Sequence, residues 1–201
     1  KQCLTNYDME VNRIMSIDVY EQIPVMESDK FLLRKIDDTD AEDLLKVYSD
    51  TVSVPIFNSD NCVDNFYYES IEEMKNTIAY WKREYQRRYY VRWAIVDRRR
   101  KCAIGTVEMF NRKAKDYFNN CGLLRLDLRS DYEKQDIIEN ILDIIIREAK
   151  EMFECEMIAT KAISIAKERI RALESLGFCL SEEALIGSDG TKYDSYYVRE
   201  V

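Results

Sequence analysis

Apolar residues change their spacing several times along the chain, and each change predicts an element. FLLRKI (31–36) is a short apolar run that predicts a strand. Behind it, Thr39-Asp-Ala-Glu42 has capping-box spacing and opens a helix carrying Leu44, Leu45 and Val47. VSVPIFNSDNCVDN (52–65) has no period and reads as an irregular connector. Ser70-Ile-Glu-Glu73 is a second capping box, and Ile71, Met74, Ile78, Trp81 and Tyr85 keep one helical face apolar after it.

The period then shortens. VRWAIVD (91–97) and CAIGTVEMF (102–110) are β-rich runs around the charged turn RRRK, which predicts a hairpin, and GLLRLDL (122–128) alternates as a third strand. Ile137, Ile138, Ile141, Leu142, Ile145, Ala149 and Phe153 stripe a long helix. EMIATKAI (156–163) predicts a strand leading into a helix with Ile163, Ala166, Ile170 and Leu173 at helical spacing, stopped by the glycine of LGF (176–178). Tyr193 to Val201 closes the chain as a strand. Residues 1–22 have weak periodicity and read as an N-terminal extension to a mixed α/β domain over 23–201.

Bulk properties narrow the functions. With 30 Lys+Arg against 38 Asp+Glu the net charge is −8, which argues against nonspecific nucleic acid or anionic membrane as partner. No apolar run is long enough to span a bilayer, and no signal-peptide pattern opens the chain, so a cytoplasmic protein is expected. The six cysteines are scattered without a CxxC pair and are expected as reduced core residues. There is no histidine, so no zinc site is expected and proton transfer falls to Glu, Asp, Tyr, Cys, Lys or water.

The order strand–helix–helix–hairpin–strand–helix–strand–helix–strand resembles the GNAT acetyltransferase superfamily, in particular the branch that acetylates ribosomal-protein N-termini. IPVMESDKFLLRKIDDTDAEDL (23–44) is similar to that branch's opening, and WAIVDRRRKCAIGTVEMFN (93–111) to its central hairpin with an Ile-Gly-Thr signature. ALESLGF (172–178) is similar to the segment usually written Leu-Glu-Lys-Leu-Gly-Phe, while Asp194 and Tyr197 fall where the last strand commonly has Asp and Tyr. The resemblance implies a mostly antiparallel central sheet with helices on both faces. It also implies acetyl-CoA as co-substrate and a primary amine as acceptor, either a protein or peptide N-terminus or a small amine. Attack on the thioester would be direct, with no covalent intermediate and no metal. Glu108 is then the candidate proton acceptor and Tyr197 the candidate donor to the leaving thiolate. For Glu108 the competing reading is an outward-facing residue of an alternating strand. Leu126, Asp127 and Leu128 would offer the strand edge to the pantetheine arm. Tyr67, Tyr68, Tyr89 and Tyr90 flank the region that shapes the acceptor groove in this family.

The chain departs from the family at the loop that holds the cofactor's diphosphate, usually Gln/Arg-x-x-Gly-x-Gly/Ala. Here those positions read Glu133, Lys134, Gln135, Asp136, Ile137 and Ile138, and Ala166 replaces an asparagine that often precedes the last helix. Asp136 and Glu139 have capping-box spacing, so Asp136 is expected to cap the long helix where a phosphate would sit. Two like charges about 4 Å apart repel by roughly 1–4 kcal/mol across effective dielectrics of 80 to 20. That corresponds to an affinity loss on the order of 5- to 1000-fold. Arg129 and Lys134 would offset part of it by pairing with phosphate oxygens, and both isoleucines would crowd the ligand. Two readings stay open: an acetyl-CoA-dependent N-acetyltransferase, or a GNAT-fold binding module that has lost normal acetyl-CoA binding. A transferase using another acyl-CoA would carry the same pattern.

Overall fold

β-Branched and aromatic residues make the hairpin the spine of the sheet: β3 (Val91–Asp97) pairs antiparallel with β4 (Cys102–Arg112). A computed structural model describes residues 18–57 and 65–201. Around the hairpin lie β1 (Met26–Glu27), β2 (Phe31–Lys35), β5 (Cys121–Leu128), β6 (Met157–Lys161), β7 (Cys179–Leu180) and β10 (Tyr196–Glu200), in the order β1-β2-β3-β4-β5-β6-β10-β7. A separate two-stranded sheet joins β8 (Leu185–Ile186) to β9 (Lys192–Tyr193). The closing strand expected from Tyr193 is thus split in two.

Alternation along the strands sends side chains to the two faces of the sheet. Val91, Trp93 and Ile95 of β3 and Ile104, Val107 and Met109 of β4 face α4 (Gln135–Phe153) and α5 (Lys167–Ser175). On the other face, Ala94 and Ala103 meet α1 (Ala41–Tyr48) and α3 (Ile71–Gln86), which contribute Leu44, Val47, Tyr48, Met74, Ile78 and Trp81. The expected stripe of α4 is buried except for Ile137, which is half-buried.

Local chemistry sets the boundaries. Ser70 and Glu73 form the expected capping box on α3. The box before α1 lies two residues upstream of its expected place: Asp37 accepts from the Thr39 N–H and Asp40 from the Asp37 N–H, so a short 3-10 turn precedes the helix. The irregular connector contains a four-residue helix, α2 (Val54–Phe57), and its residues 58–64 lie outside the described residues. Helix α5 begins at Lys167, leaving Ile163 in the preceding loop. It ends as expected at Gly177, whose φ of 81° suits glycine, with the Phe178 N–H reaching back to the Leu173 carbonyl.

Most of the expected N-terminal extension, 1–17, lies outside the described residues. Residues 18–28 run along the edge of the α4 core. Val19 is buried, its carbonyl accepts from the Tyr85 hydroxyl, the Trp93 indole donates to the Pro24 carbonyl and Ser28 donates to Asn140. Four cysteines fall among the described residues and all are free thiols; Cys121 and Cys155 are buried, Cys102 is half-buried and Cys179 is exposed, against the expectation of a core position.

Candidate functional site

Strand β5 is paired to β4 along its whole length, but to its parallel neighbour β6 only over Cys121–Leu124. Beyond Leu124 the two strands part, and Arg125 to Leu128 turn one backbone edge toward the gap. Tight contact with β4 fixes this geometry. A Cβ on Gly105 would stand 2.1 Å from the Asp127 carbonyl oxygen, so only glycine lets β4 and β5 approach here. A bulge beside it leaves the Ile104 carbonyl to accept from the Arg129 N–H, which steers the chain out of β5.

On the α1–α3 face, buried charges meet. The Arg92 guanidinium donates to Tyr48 Oη at 3.1 Å, Thr106 Oγ1 at 2.9 Å and Asp127 Oδ2 at 3.0 Å. It also makes two contacts with Glu108 Oε2, and its Cζ lies 4.3 Å from the centre of a Trp81 ring. Asp127 also accepts from Tyr48 at 2.7 Å and from Arg125 Nε at 3.2 Å. Burial alone would raise the Asp127 pKa, but Arg125, Arg92 and Tyr48 outweigh it and hold the carboxyl below its ordinary value. Burial, reinforced by the nearby Asp127 charge, pushes the Tyr48 hydroxyl well up, so it serves as a proton-bearing donor.

Among the described residues, two neighbouring cavities on this face share Glu108 and Arg125. The larger, about 520 Å³, is walled by Phe66, Tyr68, Tyr80, Trp81, Tyr90 and Arg92. The smaller, about 170 Å³, extends across β4, β5, β6 and β10 past Leu123, Lys161 and Tyr196. Glu108 therefore stands between an aromatic chamber and the strands that separate.

The start of α4 is held from α5. Lys134 is its N-cap and supplies no side-chain bond; instead the Gln135 N–H donates to Glu168 Oε2 at 2.9 Å. Asp136 is the second helical residue and exposed, and Glu139 accepts from the Gln135 side chain. The acidic capping box expected from Asp136 is not formed, because the helix starts two residues earlier, with Lys134 as N-cap, and places Asp136 within its first turn.

The sequence from 30 to 179 matches the model of the acetyltransferase (GNAT) domain, well over half of the 201 residues. The chain belongs to the GNAT acetyltransferase family. Solved GNAT structures share its fold. The microcin C7 self-immunity acetyltransferase MccE, in complex with acetyl-CoA and AMP, superposes with a TM-score of 0.65 at 17% identity, over 87% of this chain and 94% of that one. The ribosomal-protein-S5-alanine acetyltransferase from Vibrio fischeri gives 0.65 at 16% identity, over 89% and 96%. RimL, the ribosomal L7/L12 α-N-protein acetyltransferase in complex with coenzyme A, gives 0.64 at 15%, over 89% and 98%. No curated protein matches by sequence.

Within this GNAT fold, the expected site residues separate into groups. Glu108 lines both cavities, ion-paired with Arg92 rather than facing bulk solvent. Tyr197 is not brought to it: it is packed in the α4–α5 core on the opposite face, and burial raises its pKa. The neighbouring Tyr196 lines the smaller cavity instead. Leu126 and Leu128 are core residues on the β5 edge, and Asp127 belongs to the Arg92 network. Arg129 is committed to Asp131 at 2.6 Å, whereas Lys134, Asp136 and Ile137 line a separate cavity of about 480 Å³. Ile138 points into the core, so it does not crowd the loop. Tyr68 and Tyr90 wall the chamber; Tyr67 is half-buried and Tyr89 exposed. Arg92, Tyr48, Tyr196 and Glu168 were missed. A lone arginine inside VRWAIVD was the signal for the first. Among the described residues no cluster of His, Cys, Asp and Glu is placed to hold a metal, and no helix is long and apolar enough to cross a membrane.

Proposed function

We propose that this protein transfers the acetyl group of acetyl-CoA to a primary amine, with a protein or peptide N-terminus as the acceptor class. The observation that carries the reading is the position of Glu108, between the aromatic chamber and the diverging β5 and β6 of a GNAT sheet. An amine in the chamber would lose a proton to Glu108, directly or through water, as its nitrogen bonds to the acyl carbon; the C–S bond then breaks and solvent protonates the thiolate. Arg92 fixes the carboxylate's position, and that positioning supplies much of the acceleration. The ribosomal-protein acceptors named for RimL and the Vibrio fischeri enzyme favour a protein terminus over a small amine.

The test is acetyl-CoA with a panel of peptides bearing free N-termini, read by mass spectrometry and thiol release. Glu108→Gln is expected to lower kcat by about 100-fold or more, with KM little changed. Unchanged activity would remove Glu108 from proton transfer. If no amine is acetylated from any acyl-CoA, the GNAT-fold binding module becomes the better reading.

A further inference from the structure

We infer that Arg169 decides whether a coenzyme A thioester can enter this protein, and that in the conformation described here it keeps the entrance shut. The inference rests on the acyl-donor reading above. Arg169 sits on the apolar stripe of α5, between Ala166 and Leu173, where a core residue would be expected. Its side chain is only 4% exposed and crosses into the gap between β5 and β6. There Nη1 donates to the Leu126 carbonyl at 2.8 Å, on the backbone edge of β5. The other guanidinium nitrogens grip both oxygens of Glu133 at 2.7 and 2.9 Å.

This one residue and its neighbours take up what a pantetheine-diphosphate would need. An extended arm adding to a strand edge bonds to main-chain groups, and Leu126 offers its carbonyl to Arg169. The arm also needs volume. Between Ile56, Phe57, Leu124, Leu126, Thr160 and Arg169 the remaining space is about 10 Å³, room for about one water molecule. A diphosphate is held by the N–H groups that open a helix, yet the Gln135 N–H already donates to Glu168, the residue preceding Arg169. Glu168 also places a carboxylate at that helix start, where an anionic group would need the N–H.

Entry therefore requires Arg169 to leave Glu133 and Leu126, so the apparent affinity for the donor falls by the fraction of molecules that are open. Glu133, in the loop where the family pattern has Gln or Arg, is the anchor of this closure. Asp136, which the sequence favoured for that role, makes no part of it.

Isothermal titration with acetyl-CoA and with coenzyme A on wild type, Arg169→Ser and Glu168→Gln tests this, with circular dichroism confirming the fold of each. Arg169→Ser is expected to tighten binding at least tenfold. Glu168→Gln, in the first turn of α5, is expected to tighten it about fivefold, the factor equivalent to roughly 1 kcal/mol of like-charge repulsion at 4 Å in water. Equal affinity of wild type and Arg169→Ser overturns the closure and leaves the acyltransferase reading standing. No binding by any folded variant overturns the closure and takes the acyl-donor reading with it. If Arg169→Ser does not fold, Glu133→Gln and Glu168→Gln decide, and unchanged affinity in both overturns the proposal.

Discussion

Arg92 shows what one buried charge does here. Its guanidinium is 3% exposed and is balanced by Glu108 and Asp127, with Tyr48 and Thr106 taking the remaining donors. Asp127→Asn would remove one of the two carboxylates that balance Arg92 in a dry site. We expect it to cost about 3–5 kcal/mol in a denaturant titration, the usual result of breaking one side of a buried pair. The pH dependence has a definite sign. Because the Asp127 pKa is depressed in the folded state, its contribution is present above the ordinary carboxylate range, about 3.9, and is lost as pH falls through the lower folded value. Acid-unfolding curves of Asp127→Asn should accordingly be flatter on the acid side than those of wild type. At this scale the sequence was legible only in part. Glu108 stood out as a carboxylate among apolar neighbours, whereas nothing in the alternation of β5 showed that Asp127 faces an arginine two strands away. Tyr197 lies apart from Glu108 for a related reason: adjacent residues of a strand face opposite ways, so an offset of one moves a side chain from the cavity to the core.

Elements with a strong period were read correctly, because burial on one face of the sheet imposes that period. The hairpin β3–β4, the third strand β5 and the long helix α4 all fall where spacing placed them. Start signals were less certain. Ser70 and Glu73 have no competitor and form their box, while Asp37 and Asp40 offer the same geometry two residues before Thr39 and Glu42 and take precedence. Ser70→Ala should therefore cost about 1 kcal/mol and lower Tm by about 2–4 °C in a chain of this size. Gly105→Ala is a harsher change. Its Cβ meets the backbone oxygen of Asp127 and comes 2.9 Å from Leu128 Cδ2, so β4 and β5 must separate. A loss of about 1–3 kcal/mol is expected from the overpacking alone. Calorimetry would measure it, and the same separation would shift Glu108 and reduce turnover. Arg169 was hidden at this scale, since a stripe of Ala166, Ile170 and Leu173 reads as an ordinary buried helix face and gives no hint of a charge inserted among them.

Seen whole, the molecule is a sheet with an α4–α5 core on one face and an α1–α3 core on the other, the polar chemistry gathered where the sheet divides. Fold and family were legible because several ordinary segments occur in the right order. The state of the donor entrance was not, since it depends on α5, β5 and the loop before α4 meeting in space. The stretch from 18 to 28 has a practical consequence for anyone cutting this gene. The matched family region begins at residue 30, yet Val19 fills the main core and the Pro24 carbonyl satisfies the Trp93 indole. A shortened protein beginning at residue 30 should melt several degrees lower and expose the rim of Trp93 and Phe153 to dyes that seek greasy surfaces. On that outcome the smallest piece that folds well is longer than the piece that evolution makes recognisable, and weak catalysis from a trimmed expression product would say more about the scissors than about the enzyme.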